Sequence, residues 1–133
     1  MNKISPDKIE AFVKSFYIRI QNDEMIGPIF NEVVNINWDE HIPLLTQFWN
    51  TVMLGTKEYS GNPMLKHLEL NKKVKLHPIH FDRWLELFTQ EARLNFTDEF
   101  AELIIERATS ISYAIKQRIA QMNNKIGETR NIL

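Results

Sequence analysis

The chain has 133 residues, a mass of 15.7 kDa and a formal net charge of -1. It is one domain in length and has no bulk attraction for nucleic acid or an anionic membrane. It contains no cysteine, which excludes disulfides, thiolate zinc sites, iron–sulfur clusters and a cysteine nucleophile. Its 44% hydrophobic and 25% charged residues are a globular balance, and 4 Gly with 5 Pro are too few for a turn-rich all-β chain. The N-terminal stretch Met1-Asn2-Lys3-Ile4-Ser5-Pro6-Asp7 has no apolar run of the kind expected in a leader, and no segment approaches a membrane span. The expectation is a cytoplasmic, monomeric, all-α domain over residues 1–133, with neither nucleic acid nor membrane as partner.

Ser5-Pro6 reads as a helix cap followed by proline at the first helical position. Ile9, Phe12, Val13, Phe16, Tyr17 and Ile20 then follow helical spacing, and Gly27-Pro28 is expected to end this helix. Ile29-Phe30 opens a short apolar piece. A second helix is expected from about Trp38, with Trp38, His41, Leu45, Phe48, Trp49 and Val52 on one face, widened by Leu44 and Met53. Pro43 falls early enough to be tolerated, and Gly55 is a C-terminal stop.

A helical turn is expected over Met64 to Leu68, and an exposed loop over 69–77, where Lys72, Lys73 and Lys75 crowd together. A third long helix starts near Pro78 and carries Phe81, Trp84, Leu85, Phe88 and Ala92. Thr97 caps a fourth, with Phe100, Leu103, Ile104, Ala108, Ile111, Ile115, Ile119 and Met122 as its stripe and Gly127 just past its end.

Phe and Trp at helical spacing usually form a core, so a helical bundle without cofactor, such as an interaction module, is one reading. His77 and His80, with Asp82 nearby, suggest a non-haem metal site, but Pro78 between them favours a helix start with His80 as a capping residue. There is no HExxH, Gly-rich phosphate loop or GxSxG elbow. Acidic pairs such as Asp23-Glu24 and Asp39-Glu40 sit at inferred helix ends, where solvation or the helix dipole accounts for them.

The ordered set is more specific than its parts. Phe16-Tyr17 is followed by Gly27-Pro28-Ile29-Phe30, then Trp38 and His41, then Phe48-Trp49. Tyr59-Ser60-Gly61-Asn62-Pro63 leads to His67-Leu68, and His80-Phe81-Asp82-Arg83-Trp84-Leu85-Glu86-Leu87-Phe88 closes the series. From about Phe12 to Arg107 the chain resembles a group III truncated haemoglobin. The interval from His67 to Trp84, with its lysines, is longer than that resemblance leads one to expect.

The resemblance implies a two-over-two helical sandwich around one non-covalent haem b, in keeping with the lack of cysteine. It implies His67 as the proximal iron ligand, Tyr17, His41 and Trp84 as distal residues, and Phe30 against the haem face. Leu45 should lie over the haem, Met64 should contact it, and Phe48 and Trp49 should line the inner wall. Residues 57–83 hold six Lys and Arg against three acids, and from these Arg83, together with Tyr59, is expected at the propionates. The implied function is binding of oxygen, nitric oxide or carbon monoxide at five-coordinate iron. Redox chemistry of a peroxidase-like or nitric-oxide-dioxygenase kind, fed by an external reductase, is preferred to bulk oxygen transport. Oxygen binding or sensing without catalysis is the alternative.

Overall fold

The computed structural model describes residues 4–33 and 36–132, with side chains described up to residue 124. Five helices follow in order: α1 (Pro6–Gln21), α2 (Trp38–Leu54), α3 (Pro63–Lys73), α4 (Pro78–Asn95) and α5 (Asp98–Ile132). A single π-helical turn, Ile29–Val33, lies between α1 and α2. Residues 1–3, part of the stretch read above for a leader, lie outside the described residues.

Local chemistry sets most of the boundaries. The Ser5 hydroxyl accepts from the Lys8 N–H, Pro6 opens α1, and the six apolar residues of its stripe are the ones that are buried. The helix stops at Gln21, not at Gly27-Pro28 as expected. Asp23 draws the chain into a new turn by accepting at Oδ2 from the N–H groups of Met25 and Ile26, both at 3.1 Å. Gly27 then passes so close to the end of α1 that a Cβ there would sit 2.8 Å from the Gln21 carbonyl oxygen.

Asn37 caps α2, and Gly55 ends it in the left-handed region at φ 73°. The loop expected over 69–77 is helical through Lys73. Leu68, Leu70, Val74 and Leu76 pack with Ile115 and Ile119 of α5, and Lys72 and Lys73 complement the C-terminal end of the dipole. Asn71 and Asn123 secure this end: their side chains bond at 2.9 Å, and the two hold Leu76 through its N–H and carbonyl. The helical path of α5 runs on through Gly127, because an isolated glycine weakens a helix without ending it.

α1 pairs with α2, α4 pairs with α5, and α1 also packs on α4. The α4–α5 pair is antiparallel: Arg93 reaches Glu102 near the connecting turn, and Lys116 reaches back to Asp82. The main core joins Phe12, Phe16, Trp49, Phe88 and Phe96 with Ala101, Ile104 and Ala108. Along α5 the buried phase runs through 101, 104, 108, 115 and 119, which leaves Leu103 exposed; Leu44 on α2 is exposed as well.

A second, smaller core holds Ile29, Leu76, Ile115 and Ile119 under α3. Phe30 and Ile111 border both cores. Phe30, Trp38, His41, Phe48, His67, Phe81 and Trp84 are all only half-buried, whereas a bundle core would enclose such side chains fully.

Candidate functional site

α3 carries the histidine of one side. Asn62 accepts from the Leu65 N–H at 3.1 Å and Pro63 takes the first helical position, so the start of this helix is fixed. One turn later His67 Nδ1 lies 2.7 Å from the Pro63 carbonyl oxygen. A carbonyl only accepts, so Nδ1 carries the proton and Nε2 keeps a bare lone pair. Burial pushes the His67 pKa down and the Pro63 bond opposes this in part. The ring is therefore neutral near pH 7, the form that binds a metal. Phe81 of α4 stands beside it, with ring centroids 6.4 Å apart.

α1 and α4 build the other side. Tyr17 is buried, and desolvation pushes its phenol up to about 12, so it keeps its proton and can donate. Hydrogen bonding from the Trp84 side chain offsets part of that rise. Trp84 is held edge-on to Phe16 at 5.5 Å and stacked on Phe88 at 5.0 Å. His41 from α2 approaches Tyr17 at 6.4 Å between centroids, and burial lowers its pKa. Phe30 meets Tyr17 at 6.2 Å.

The remaining expected residues fall in three places. Leu45 and Phe48 are half-buried on α2, and Phe48 packs edge-on against Tyr59 at 5.2 Å. Met64 borders the smaller core under α3. Trp49, expected on the inner wall, is instead core: it is 2% exposed and packs on Phe88 at 5.0 Å. Arg83 turns to acidic partners within the chain, donating to Asp23 Oδ1 from Nε at 2.9 Å and Nη2 at 2.7 Å, and to Glu86 from Nη1 at 3.0 Å.

Sequence reasoning missed some members of the site. Trp38 lies 5.5 Å from Tyr17, 5.8 Å from His41 and 6.1 Å from Phe30, at the centre of the Tyr17 side. Its place on the same helical face as His41 was the available signal. Asp23, expected as a solvated or dipole-paired acid at a helix end, is an ion-pair partner of Arg83 with its side chain enclosed. Glu91 is a buried acid in phase with Phe81, Trp84 and Phe88, and a charge on an apolar stripe was the sign of a partner.

His77 and His80 form the start of α4, where the His77 N–H donates to His80 Nδ1 at 3.0 Å. Among the described residues no group of three or more His, Cys, Asp or Glu is placed to hold a metal ion, and no helix is long and apolar enough to cross a membrane.

A bare imidazole nitrogen on one side and two O–H and N–H donors on the other, among half-buried aromatic rings, suit a flat apolar cofactor whose metal takes an axial imidazole. The family model described as Bacterial-like globin matches residues 3–117. A relative, the group 3 truncated hemoglobin ctb of Campylobacter jejuni, is 30% identical over 112 residues, which cover 82% of this chain and 86% of that one. The crystal structure of group III truncated hemoglobin from Campylobacter jejuni superposes with a TM-score of 0.81 at 27% identity, covering 90% of this chain and 94% of that chain.

The chain belongs to the bacterial-like globin family. Within it, the chain is a group III truncated haemoglobin with the all-α two-over-two globin fold. Haem as cofactor and a diatomic gas as ligand come with that membership.

Proposed function

We propose that residues 1–133 form one cytoplasmic, monomeric globin unit. It binds oxygen, nitric oxide or carbon monoxide at a five-coordinate, non-covalent haem b and serves redox chemistry rather than bulk oxygen transport. The observation that carries this reading is the Pro63–His67 bond at 2.7 Å, which fixes the ring and leaves Nε2 free as an iron ligand. Phe30, Leu45, Phe48 and Met64 would border the macrocycle. Tyr59 and Arg83 would take the propionates, Arg83 at the expense of its exposed bond to Glu86. When bound, the haem supplies an iron that takes a diatomic gas and exchanges one electron.

The chain's own groups shape what happens to that gas. Tyr17 O–H and Trp84 N–H converge from α1 and α4 as two donors, each worth roughly 1.5–3 kcal/mol toward a charged acceptor. Preorganised donors of this kind also favour a bond that polarises as it breaks, which suits peroxide or nitric oxide chemistry better than easy release. Neutral His41 stands next to Tyr17 and gates the approach to it. Electrons would come from a separate reductase.

A visible spectrum tests the cofactor: a Soret band is expected, and a colourless protein after haem reconstitution refutes it. Rapid mixing of the oxygenated ferrous protein with nitric oxide, and of the ferric protein with peroxide, tests the redox role. Rates no faster than those of haem in solution would remove it.

A further inference from the structure

Tyr17 and Trp84 stand on different helices, so their spacing depends on how α1 crosses α4. The contact between these helices is aromatic: Phe12 and Phe16 pack edge-on against Phe88 at 5.1 and 5.2 Å, and Phe16 packs edge-on against Trp84. Ridge-into-groove packing of this kind selects a class of crossing angle but leaves a scatter of about 15–20° within it, too loose to set the spacing of two donors. Two ion pairs tie the C-terminal end of α1 and the turn after it to α4. Arg19 Nε donates to Glu91 Oε2 at 2.7 Å, and Arg83 donates twice to Asp23 Oδ1.

These pairs differ from the surface bridges Lys14–Glu10 and Arg93–Glu102, whose partners are all at least 46% exposed. The carboxylate side chains of Asp23 and Glu91 are 6% and 9% exposed. All four of their oxygens are taken. Asp23 gives Oδ1 to Arg83 and Oδ2 to the Met25 and Ile26 N–H groups; Glu91 gives Oε2 to Arg19 and Oε1 to Asn95 at 3.0 Å. A carboxylate so enclosed, with both oxygens bonded, tolerates little displacement. On α4 the bridged positions 83 and 91 are about 12 Å apart along the axis, with Trp84 between them. One pair would leave the end of α1 free to pivot; the second, from the turn just past it, holds that end at two points along α4.

We propose that Asp23–Arg83 and Arg19–Glu91 are positioning pairs, a two-point brace that sets the distance between the Tyr17 and Trp84 donors and so the hold of the distal side on its gas. This rests on the haem reading given above. It assigns Arg83, Asp23, Arg19 and Glu91 a role through Tyr17 and Trp84 rather than contact with the gas.

The test uses the holoprotein with Asp23→Asn, which keeps an oxygen for the Met25 and Ile26 N–H groups, and Glu91→Gln, which keeps an acceptor for Asn95. The C–O stretch of the ferrous carbon monoxide complex reports the donors directly. In each variant it should move toward the value for Tyr17→Phe, and the oxygen dissociation rate should rise about fivefold or more, a change of roughly 1 kcal/mol in binding. Variants that melt at lower temperature yet keep the parental stretch and dissociation rate overturn the proposal.

A second readout does not need haem. The nuclear Overhauser cross-peak between the Trp84 indole N–H and the Tyr17 ring should weaken in both variants of the haem-free protein, and an unchanged cross-peak in both overturns the brace. A parent chain that takes up no haem refutes the haem reading instead, and the cross-peak then decides the brace alone.

Discussion

Tyr59 folds its ring back over Gly61 so closely that a Cβ on residue 61 would stand 2.5 Å from the Tyr59 hydroxyl oxygen and 2.7 Å from Cζ. The same ring packs edge-on against Phe48. Gly61 is thus small because Tyr59 occupies its side-chain space. Gly61→Ala should turn the Tyr59 ring away from Phe48 at a cost of about 1 kcal/mol or less, because the atoms in the way are the far end of a half-buried side chain. Urea denaturation of Gly61→Ala, Tyr59→Ala and the double variant checks this: the two costs should be strongly non-additive. Simple additivity would show that the two residues do not compete for space.

His67→Ala removes the imidazole proposed to hold the iron, the ring whose Nδ1 bonds the Pro63 carbonyl. Removing an outer partner of a metal ligand typically costs roughly 10- to 100-fold in affinity, so losing the ligand itself should cost more. Haem transfer to an acceptor protein measures it, and an unchanged transfer rate with unchanged axial spectroscopy would exclude His67 as ligand.

Tyr17→Phe removes one donor and leaves the ring, and Trp84→Phe removes the other and puts a smaller ring in its place. Either change should raise the oxygen dissociation rate by about tenfold or more, in line with 1.5–3 kcal/mol for a bond to a charged acceptor. Stopped-flow displacement by carbon monoxide reads the rate directly. Because the Tyr17 phenol is pushed up to about 12, the parental rate should stay flat from pH 6 to pH 9 on account of this group.

His41, His67 and His80 all have pKa values held below the ordinary 6.5, chiefly by desolvation. The folded state thus resists protonation where the unfolded chain accepts it. Stability of the haem-free protein is fully present above pH 6.5 and should fall as pH drops below that value toward the folded pKa values. At His80 the fall is reinforced, since a proton on Nδ1 breaks its bond from the His77 N–H. Denaturant titrations at pH 7.5, 6.5 and 5.5 check the sign; stability that rises on acidification would reverse it.

Phe88 is fully buried and touches Phe12, Phe16, Trp49 and Trp84. Phe88→Ala should cost about 3–5 kcal/mol. It should also loosen Trp84, so a calorimetric melt and the C–O stretch should change together.

Much of the fold could be read from the residues. The α1 stripe is buried as expected, and Ser5, Pro6 and Gly55 mark boundaries where their chemistry places them. Sequence alone failed where tertiary contact overrides local pattern. The lysines at 72 and 73 look like a loop, yet Leu68, Leu70 and Leu76 anchor that stretch on α5. Gly27-Pro28 looks like the stop for α1, but Asp23 turns the chain first. In the site, Tyr17, His41 and Trp84 are on or beside one aromatic cluster, and His67 stands on a separate helix with its tautomer fixed. Trp38 was legible as a helix-face residue and not as the hub of that cluster, because a ring's neighbours across helices leave no trace in spacing. Arg83 shows the same gap: its charge could be seen, but its partner, about 60 residues away at Asp23, could not.

Because no residue of α3 is fully buried and the smaller core under it meets the main core at Phe30 and Ile111, the arm bearing His67 rests on a shallow apolar contact. A pigment wedged between the two cores would add its binding free energy to the stability of the whole chain. Molecules still lacking it would open that arm first and meet cellular proteases there. Turnover would then cull the empty molecules, and the standing amount of this polypeptide would follow the porphyrin supply of the cell that makes it.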